Sequence, residues 1–180
     1  VRSRRQRQMC IRDSNIATNF SEDNPEMTII GLRFFNVYGP REFYKAKTAS
    51  MVIQLGHQIL SGNAPRLFEG SDQILRDFIH IDDVLQANIK ACSPLKNGTY
   101  NVGTAISRSF QDIVDILQKE LGTNLVTEYF SNPYDGYQFD TKANISSTYE
   151  NLGFKPKVTL EEGIKSYIPE IKRLFKSDMQ

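Results

Sequence analysis

Asn36, Lys45, Phe68–Ser71 and Arg76 are the side chains whose types and spacing suit chemistry on a polar small molecule. Asn36-Val37 follows Met27–Phe35, a run dense in β-branched and aromatic residues that predicts a strand buried on both faces. Ligands of open α/β sheets sit beyond the carboxyl ends of strands, so these two residues would face a crevice; an Asn chosen only for turn geometry fits as well. Phe68-Glu69-Gly70-Ser71 supplies an aromatic face, a carboxylate, a flexible backbone and a hydroxyl. That set suits a sugar or nucleoside, and it also makes an ordinary surface turn. Arg76 carries a planar fork suited to a pyrophosphate, or else it pairs with a local acid such as Asp77. Lys45 lies nine residues past Asn36, on the loop leaving the same strand. There it is either a solvated charge or, inside a closed site, an amine whose pKa burial would draw down toward acid–base use.

Other candidates have plainer readings. Asp82-Asp83 begins a helix, where two acids cap amides and complement the dipole rather than form a catalytic pair. His80 reads as an inward-facing strand residue, and Tyr137 alone would be filler in an irregular segment. Cys10 and Cys92 lack Cys-x-x-Cys spacing and His57 and His80 are isolated, so reduced thiols and no metal site are expected.

The elements that would position these residues alternate. Residues 15–26 read as a helix end and a polar turn before Pro25. Asn36–Pro40 is turn chemistry, and Met51, Val52, Leu55 and Ile59 recur at helical spacing up to Gly62. Arg66–Phe68 and Arg76–Ile81 predict short strands, followed by a helix that Asp82 caps and that runs to Ala91. Thr99–Val102 is a strand. Ser109–Asp112 and Thr159–Glu162 have capping-box form, opening helices with apolar stripes through Ile113, Val114 and Leu117, and through Ile164, Ile168 and Ile171. Strands alternating with helices predict an α/β class.

The 180 residues suffice for a core, and no apolar run reaches the roughly 20 residues of a membrane-spanning helix. With no charged-then-apolar leader either, a cytoplasmic location without membrane partners is expected. Net charge is +1, but residues 1–14 hold five of the 22 basic residues and one of the 21 acids, leaving 17 basic and 20 acidic elsewhere. Either this is a basic arm for nucleic acid or protein, or it is a foreign or disordered extension of a fold spanning 15–180. The acidic remainder favours the extension and no nucleic-acid partner.

Gly31-Leu-Arg-Phe-Phe-Asn-Val-Tyr-Gly-Pro-Arg-Glu42 and Arg76-Asp-Phe-Ile-His80 resemble the substrate half of the extended short-chain dehydrogenase/reductases, the NAD-dependent epimerase/dehydratase family. Phe68–Ser71 stands where most members read Gly-Asp-Gly, so the resemblance is closer to the ADP-glycero-manno-heptose 6-epimerase branch than to UDP- or GDP-sugar 4-epimerases and 4,6-dehydratases. The resemblance implies the carboxyl-terminal part of a Rossmann-type α/β fold with its substrate-binding domain. It implies NADP or NAD, one per full-length subunit, an ADP-heptose substrate, a homo-oligomer when full length, and heptose supply for lipopolysaccharide core. By the same resemblance Asn36, Phe68, Glu69, Gly70, Ser71, Arg76 and Tyr137 contact substrate. Val37 and Lys45 meet the cofactor, and Lys45 is a second acid/base, needed because epimerisation handles protons on both faces of one carbon. Lys47 and Gln54 occupy substrate positions where the family often has a small hydroxyl residue and His.

Two family motifs are absent from these residues. No two of the 11 glycines are two or three apart, so there is no Gly-x-x-Gly-x-x-Gly turn, and none of the eight tyrosines has Lys or Arg four residues later. An amino-terminally incomplete, inactive epimerase is the expectation.

Overall fold

The structure is a computed structural model describing residues 2–133 and 137–178, with the side chains of 2–10, 43, 46, 47, 177 and 178 outside the description. In chain order the elements are helix α1 (Arg2–Asp23), strands β1 (Ile30–Phe34) and β2 (Asn36–Tyr38), a 3-10 turn (Phe43–Thr48), helix α2 (Met51–Leu60), and strands β3 (Arg66–Phe68) and β4 (Leu75–His80). Then come α3 (Ile81–Ala91), β5 (Gly98–Val102), β6 (Ser107–Ser109), α4 (Phe110–Leu121), β7 (Glu128–Phe130), β8 (Asp140–Thr141), α5 (Ser146–Leu152) and α6 (Leu160–Asp178). The class is α/β, as its alternating pattern predicts.

One continuous extended segment changes partner half-way. β1 runs parallel to β5, with Ile30 opposite Gly98 and Phe34 opposite Val102. The Phe35 amide still donates to the Val102 carbonyl at 3.0 Å. From there the chain crosses to β4, pairing in parallel with Asn36 opposite Phe78 and Tyr38 opposite His80. Asn36-Val37 is thus strand, not turn; the turn begins at Gly39. β4 also takes β6 antiparallel and β8 parallel, and β3 pairs with β7.

β4 is the central strand, paired with β2, β6 and β8, and it sends an apolar side chain to a cluster on each face. Phe78 faces a cluster built from α2, α4 and α6, including Leu55, Ile59, Leu117, Ile164 and Ile171. Ile79 faces a second cluster with Val84, Tyr100, Val102 and Phe154. Burying each such side chain is worth roughly 1.5–3 kcal/mol, so a polar substitution on either face of β4 would loosen one cluster or the other. β1, by contrast, is not buried on both faces: Phe34 is 47% exposed, and among the described residues its one paired neighbour is β5.

Local capping reads true where donor and acceptor are close in sequence. Asp112 N donates to Ser109 Oγ at 3.0 Å and Ser109 N to Asp112 Oδ2 at 2.8 Å, closing the box at α4. Thr159 and Glu162 do the same at α6. α3 departs: its N-cap is His80, whose Nδ1 accepts the Asp82 amide at 3.3 Å. Asp83 instead accepts the Lys157 and Val158 amides, at 3.1 and 3.0 Å, binding the loop before α6 to the start of α3. Residues 2–14, expected as foreign or disordered, have helical backbone continuous with 15–23, because the stretch contains no Gly or Pro to break the helix.

Candidate functional site

Where β1 gives way to β2, a cleft of roughly 890 Å³ opens against β4. Its lining includes Asn36, Arg76, Tyr137, Gln138 and Thr141, Arg33 and Phe34 of β1, and Asp13, Ser14 and Ala17 of α1. A volume of this order accommodates a drug-sized or nucleotide-sized ligand.

Arg76 is a buried cation there. It is 8% exposed, and its guanidinium donates to the carbonyls of Leu75 (2.7 Å), Phe139 (3.3 Å) and Gln138 while lying 5.0 Å from the centre of the Tyr137 ring. The carbonyls take three of its five N–H groups, leaving donors for a ligand anion. It makes no ion pair with Asp77, because consecutive residues of β4 point to opposite faces of the sheet. Tyr137 in turn stacks edge-on against Phe68 at 5.7 Å, and Phe68 against Phe130 at 4.9 Å. Asn36 Nδ2 donates to the Asp77 carbonyl at 3.2 Å, which fixes its side chain beside Arg76.

Asp77 was not singled out by the sequence, yet it organises the site. Fully buried, it accepts Thr104 N at 2.7 Å and Thr104 Oγ1 at 2.6 Å on one oxygen. Its other oxygen accepts Ala105 N at 2.9 Å and Ala143 N at 3.0 Å. Four donors from two distant loops satisfy one carboxylate, and so hold both loops against β4. Gly103 permits this, since a Cβ there would come within 2.5 Å of Ala143 Cβ and 2.8 Å of Asp77 Oδ2. No sequence signal finds such a residue, because its partners lie 27, 28 and 66 positions away.

The remaining expected residues lie apart from this wall. Val37 packs into the second apolar cluster. Ser71 is 1% exposed and its Oγ has no partner among the described residues, while Glu69 is exposed and accepts Ser131 Oγ at 3.4 Å. Gly70 forms the exposed turn between them. Lys45 is exposed on the 3-10 turn, and Gln54 donates to the Ala49 carbonyl at 2.6 Å at the start of α2. The Lys47 side chain lies outside the described residues. The structure therefore brings Asn36, Arg76 and Tyr137 together, reaches Phe68 through Tyr137, and leaves Lys45, Gln54, Glu69 and Ser71 off the cleft wall.

His80 is buried at the end of β4, its ring edge-on to Tyr38 at 5.4 Å. Burial pushes its pKa below the ordinary imidazole value, outweighing the nearby Asp82 and Asp83 carboxylates. Since Nδ1 accepts a hydrogen bond, the neutral ring carries its proton on Nε2. Among the described residues no group of three His, Cys, Asp or Glu side chains could hold a metal ion, and no helix is long and apolar enough to cross a membrane.

An α/β sheet whose strand ends open on an arginine-bearing cleft defines a ligand-binding α/β protein of the doubly wound type. Residues 13–103 match the NAD dependent epimerase/dehydratase family, and the chain belongs to that family. Over 152 residues it is 38% identical to the ADP-L-glycero-D-manno-heptose-6-epimerase of Brachyspira hyodysenteriae, a match covering 82% of this chain and 48% of the relative. The crystal structure of the Helicobacter pylori ADP-L-glycero-D-manno-heptose-6-epimerase is similar at a TM-score of 0.79 and 46% identity, over 88% of this chain and 48% of that one. UDP-glucose 4-epimerase from Thermotoga maritima, solved with UDP-glucose, gives the same TM-score at 27% identity, over 88% and 50%. The chain thus spans about half the length of the relatives it matches.

That family is NAD-dependent, and the residues present fit one end of such a dinucleotide. Half-exposed Phe34, with Phe35 and Asn36, offers the cleft an apolar wall and an amide, which suits a planar carboxamide-bearing ring. A glycine-rich turn for the pyrophosphate is absent from the 180 residues.

Proposed function

We propose that residues 15–180 are the carboxyl-terminal, sugar-nucleotide-binding portion of an ADP-glycero-manno-heptose 6-epimerase, with residues 1–14 an extension foreign to it. The observation that carries the reading is the convergence of Asn36, Arg76 and Tyr137 on one cleft, in a chain 46% identical to a heptose epimerase of known structure. Arg76 would take the diphosphate with the guanidinium donors its carbonyl partners leave free. Tyr137, backed by Phe68, would present a ring face to the adenosine or the sugar. Asn36 would hold a sugar hydroxyl at the strand end, and Ser71, Glu69 and Gly70 would shape the wall behind Phe68. Lys47 and Gln54 would complete the substrate side.

In the complete enzyme, bound NADP or NAD supplies a reversible hydride acceptor that makes inversion at C6 redox-neutral. Val37 would border its nicotinamide end, and Lys45, near the cofactor, would hold or deliver the proton on one face of the reacting carbon. The same reading carries a homo-oligomeric, cytoplasmic enzyme supplying heptose for lipopolysaccharide.

Titration of the 180-residue chain with ADP-heptose and UDP-glucose tests this. Weak binding of the ADP-sugar alone, with no turnover, is expected. Preference for UDP-glucose would transfer the reading to a UDP-sugar 4-epimerase, which the equal structural similarity to the Thermotoga maritima enzyme favours as the second possibility. Epimerisation by this chain alone would refute the division of labour.

A further inference from the structure

We propose that Glu42 is a positioning residue for Lys45, its buried carboxylate clasping the two ends of the turn that carries the lysine. This rests on the reading of Lys45 as an acid/base at the sugar site. Glu42 is 3% exposed and acts on both oxygens: Oε2 accepts the Ser50 amide at 2.7 Å, and Oε1 accepts Ser50 Oγ at 2.6 Å. Residues 42–50 are thereby closed into a ring. Within it Lys45 is held at both of its backbone polar groups. Its amide donates to the Glu42 carbonyl at 2.9 Å, and its carbonyl accepts Thr48 Oγ1 at 2.7 Å. Gln54, reaching back to the Ala49 carbonyl, steadies the far end.

The entry to this ring is conformationally costly. Gly39 has φ +133°, and Arg41, a non-glycine residue, has φ +73°. A left-handed Arg persists only where its surroundings over-determine it. Here the Arg41 amide donates to Glu170 Oε1 at 2.9 Å, which ties the bend to α6 and turns the next side chain, Glu42, inward. Fully buried Tyr167 lies beside it, its phenol held above the ordinary value by burial first, then by the charge and hydrogen bonding of Glu42, and last by the charge of Glu170. Strained backbone and a buried carboxylate that takes both donors of a residue eight positions on while lying against the Tyr167 phenol are more than a helix start requires. A plain cap of α2 is nevertheless the competing role, since Ser50 is the N-cap and its own side chain makes no cap bond.

The two roles separate in hydrogen exchange and lysine labelling of the 180-residue chain, comparing the parent with Glu42→Gln and Ser50→Ala. A hydrogen bond to a charged group corresponds to about tenfold or more in a local equilibrium, so Glu42→Gln should speed exchange of the 44–49 amides by about tenfold. Acetylation of Lys45 by an amine-reactive ester should rise about twofold or more relative to exposed Lys90 and Lys119 in the same sample, as the loosened turn opens. Ser50→Ala keeps the amide contact and should shift both readouts the same way by less. Unchanged exchange at 44–49 in both variants, with faster exchange at 52–55, would reduce Glu42 to a helix cap and overturn the proposal. Should Glu42→Gln fail to fold, Ser50→Ala decides alone, and no loop effect there overturns it. Neither readout needs turnover. A loop effect without ADP-sugar binding therefore keeps the clasp and sinks the substrate reading, while binding without a loop effect does the reverse.

Discussion

Replacing Asp77 with Asn keeps the shape of the side chain and removes its charge, so it isolates what the buried carboxylate does. The better amide orientation leaves the oxygen toward Ala105 N and Ala143 N and turns the NH2 group toward Thr104. Thr104 Oγ1 can rotate to accept, but Thr104 N then faces a donor at a half-buried position and loses its partner. An orphaned buried donor costs about 1–3 kcal/mol, and converting charge-assisted bonds to neutral ones costs about another 1 kcal/mol or more. The sum is about 3 kcal/mol, which for a chain of this size lowers Tm by about 6–12 °C. Circular dichroism melts measure it. Because Asp77 also holds the Asn36 amide through its carbonyl and carries Arg76 as its neighbour, ADP-sugar affinity should fall in parallel at temperatures where the variant stays folded. Gly103→Ala, whose Cβ would come within 2.8 Å of the other oxygen, Oδ2, and 2.5 Å of Ala143 Cβ, should lower Tm as well by pushing the 143 loop off the carboxylate. A Tm within about 2 °C of the parent for Asp77→Asn would refute the four-donor account, since even one lost buried bond exceeds that.

Arg76→Ala removes three carbonyl contacts and the Tyr137 stack, so ADP affinity should fall by about tenfold or more, and Arg76→Lys should not restore it; a titration showing Lys as good as Arg would deny the role of the planar fork. His80 has a folded-state pKa below its unfolded value, so the contribution of the neutral ring is present above about pH 6.5 and is lost as pH falls below it. Melting the parent and His80→Asn between pH 8 and 5.5 should show the parent losing stability faster; parallel curves would contradict the burial argument. Gly163→Ala places a Cβ well inside van der Waals contact with the buried Tyr38 hydroxyl, and should cost about 1–3 kcal/mol by overpacking; pairing it with Tyr38→Phe, which clears the hydroxyl, should recover part of that in urea melts.

Whatever depends on neighbours three or four residues apart was legible beforehand. The Ser109 and Thr159 capping boxes, the apolar stripes of α2, α4 and α6, and the α/β class follow from local spacing. Asn36, Arg76, Phe68 and Tyr137 were also named in advance, and their resemblance to a family carried more than their types did. The turn expected at Asn36 became a strand because β4 offered it an open edge, which no property of Asn36-Val37 encodes. His80 displaced Asp82 as the cap because the strand places its ring against the first turn of α3.

By itself, then, the sequence determined the periodic elements, the family and the short list of polar residues, since each is written in neighbours or motifs. Only the tertiary structure decided that Arg76 binds carbonyls instead of Asp77, and that Asp77 gathers residues 104, 105 and 143. It also decided that Glu42 closes on Ser50. A buried charge must find donors wherever the folded chain brings them, and the distance along the chain does not constrain which ones arrive.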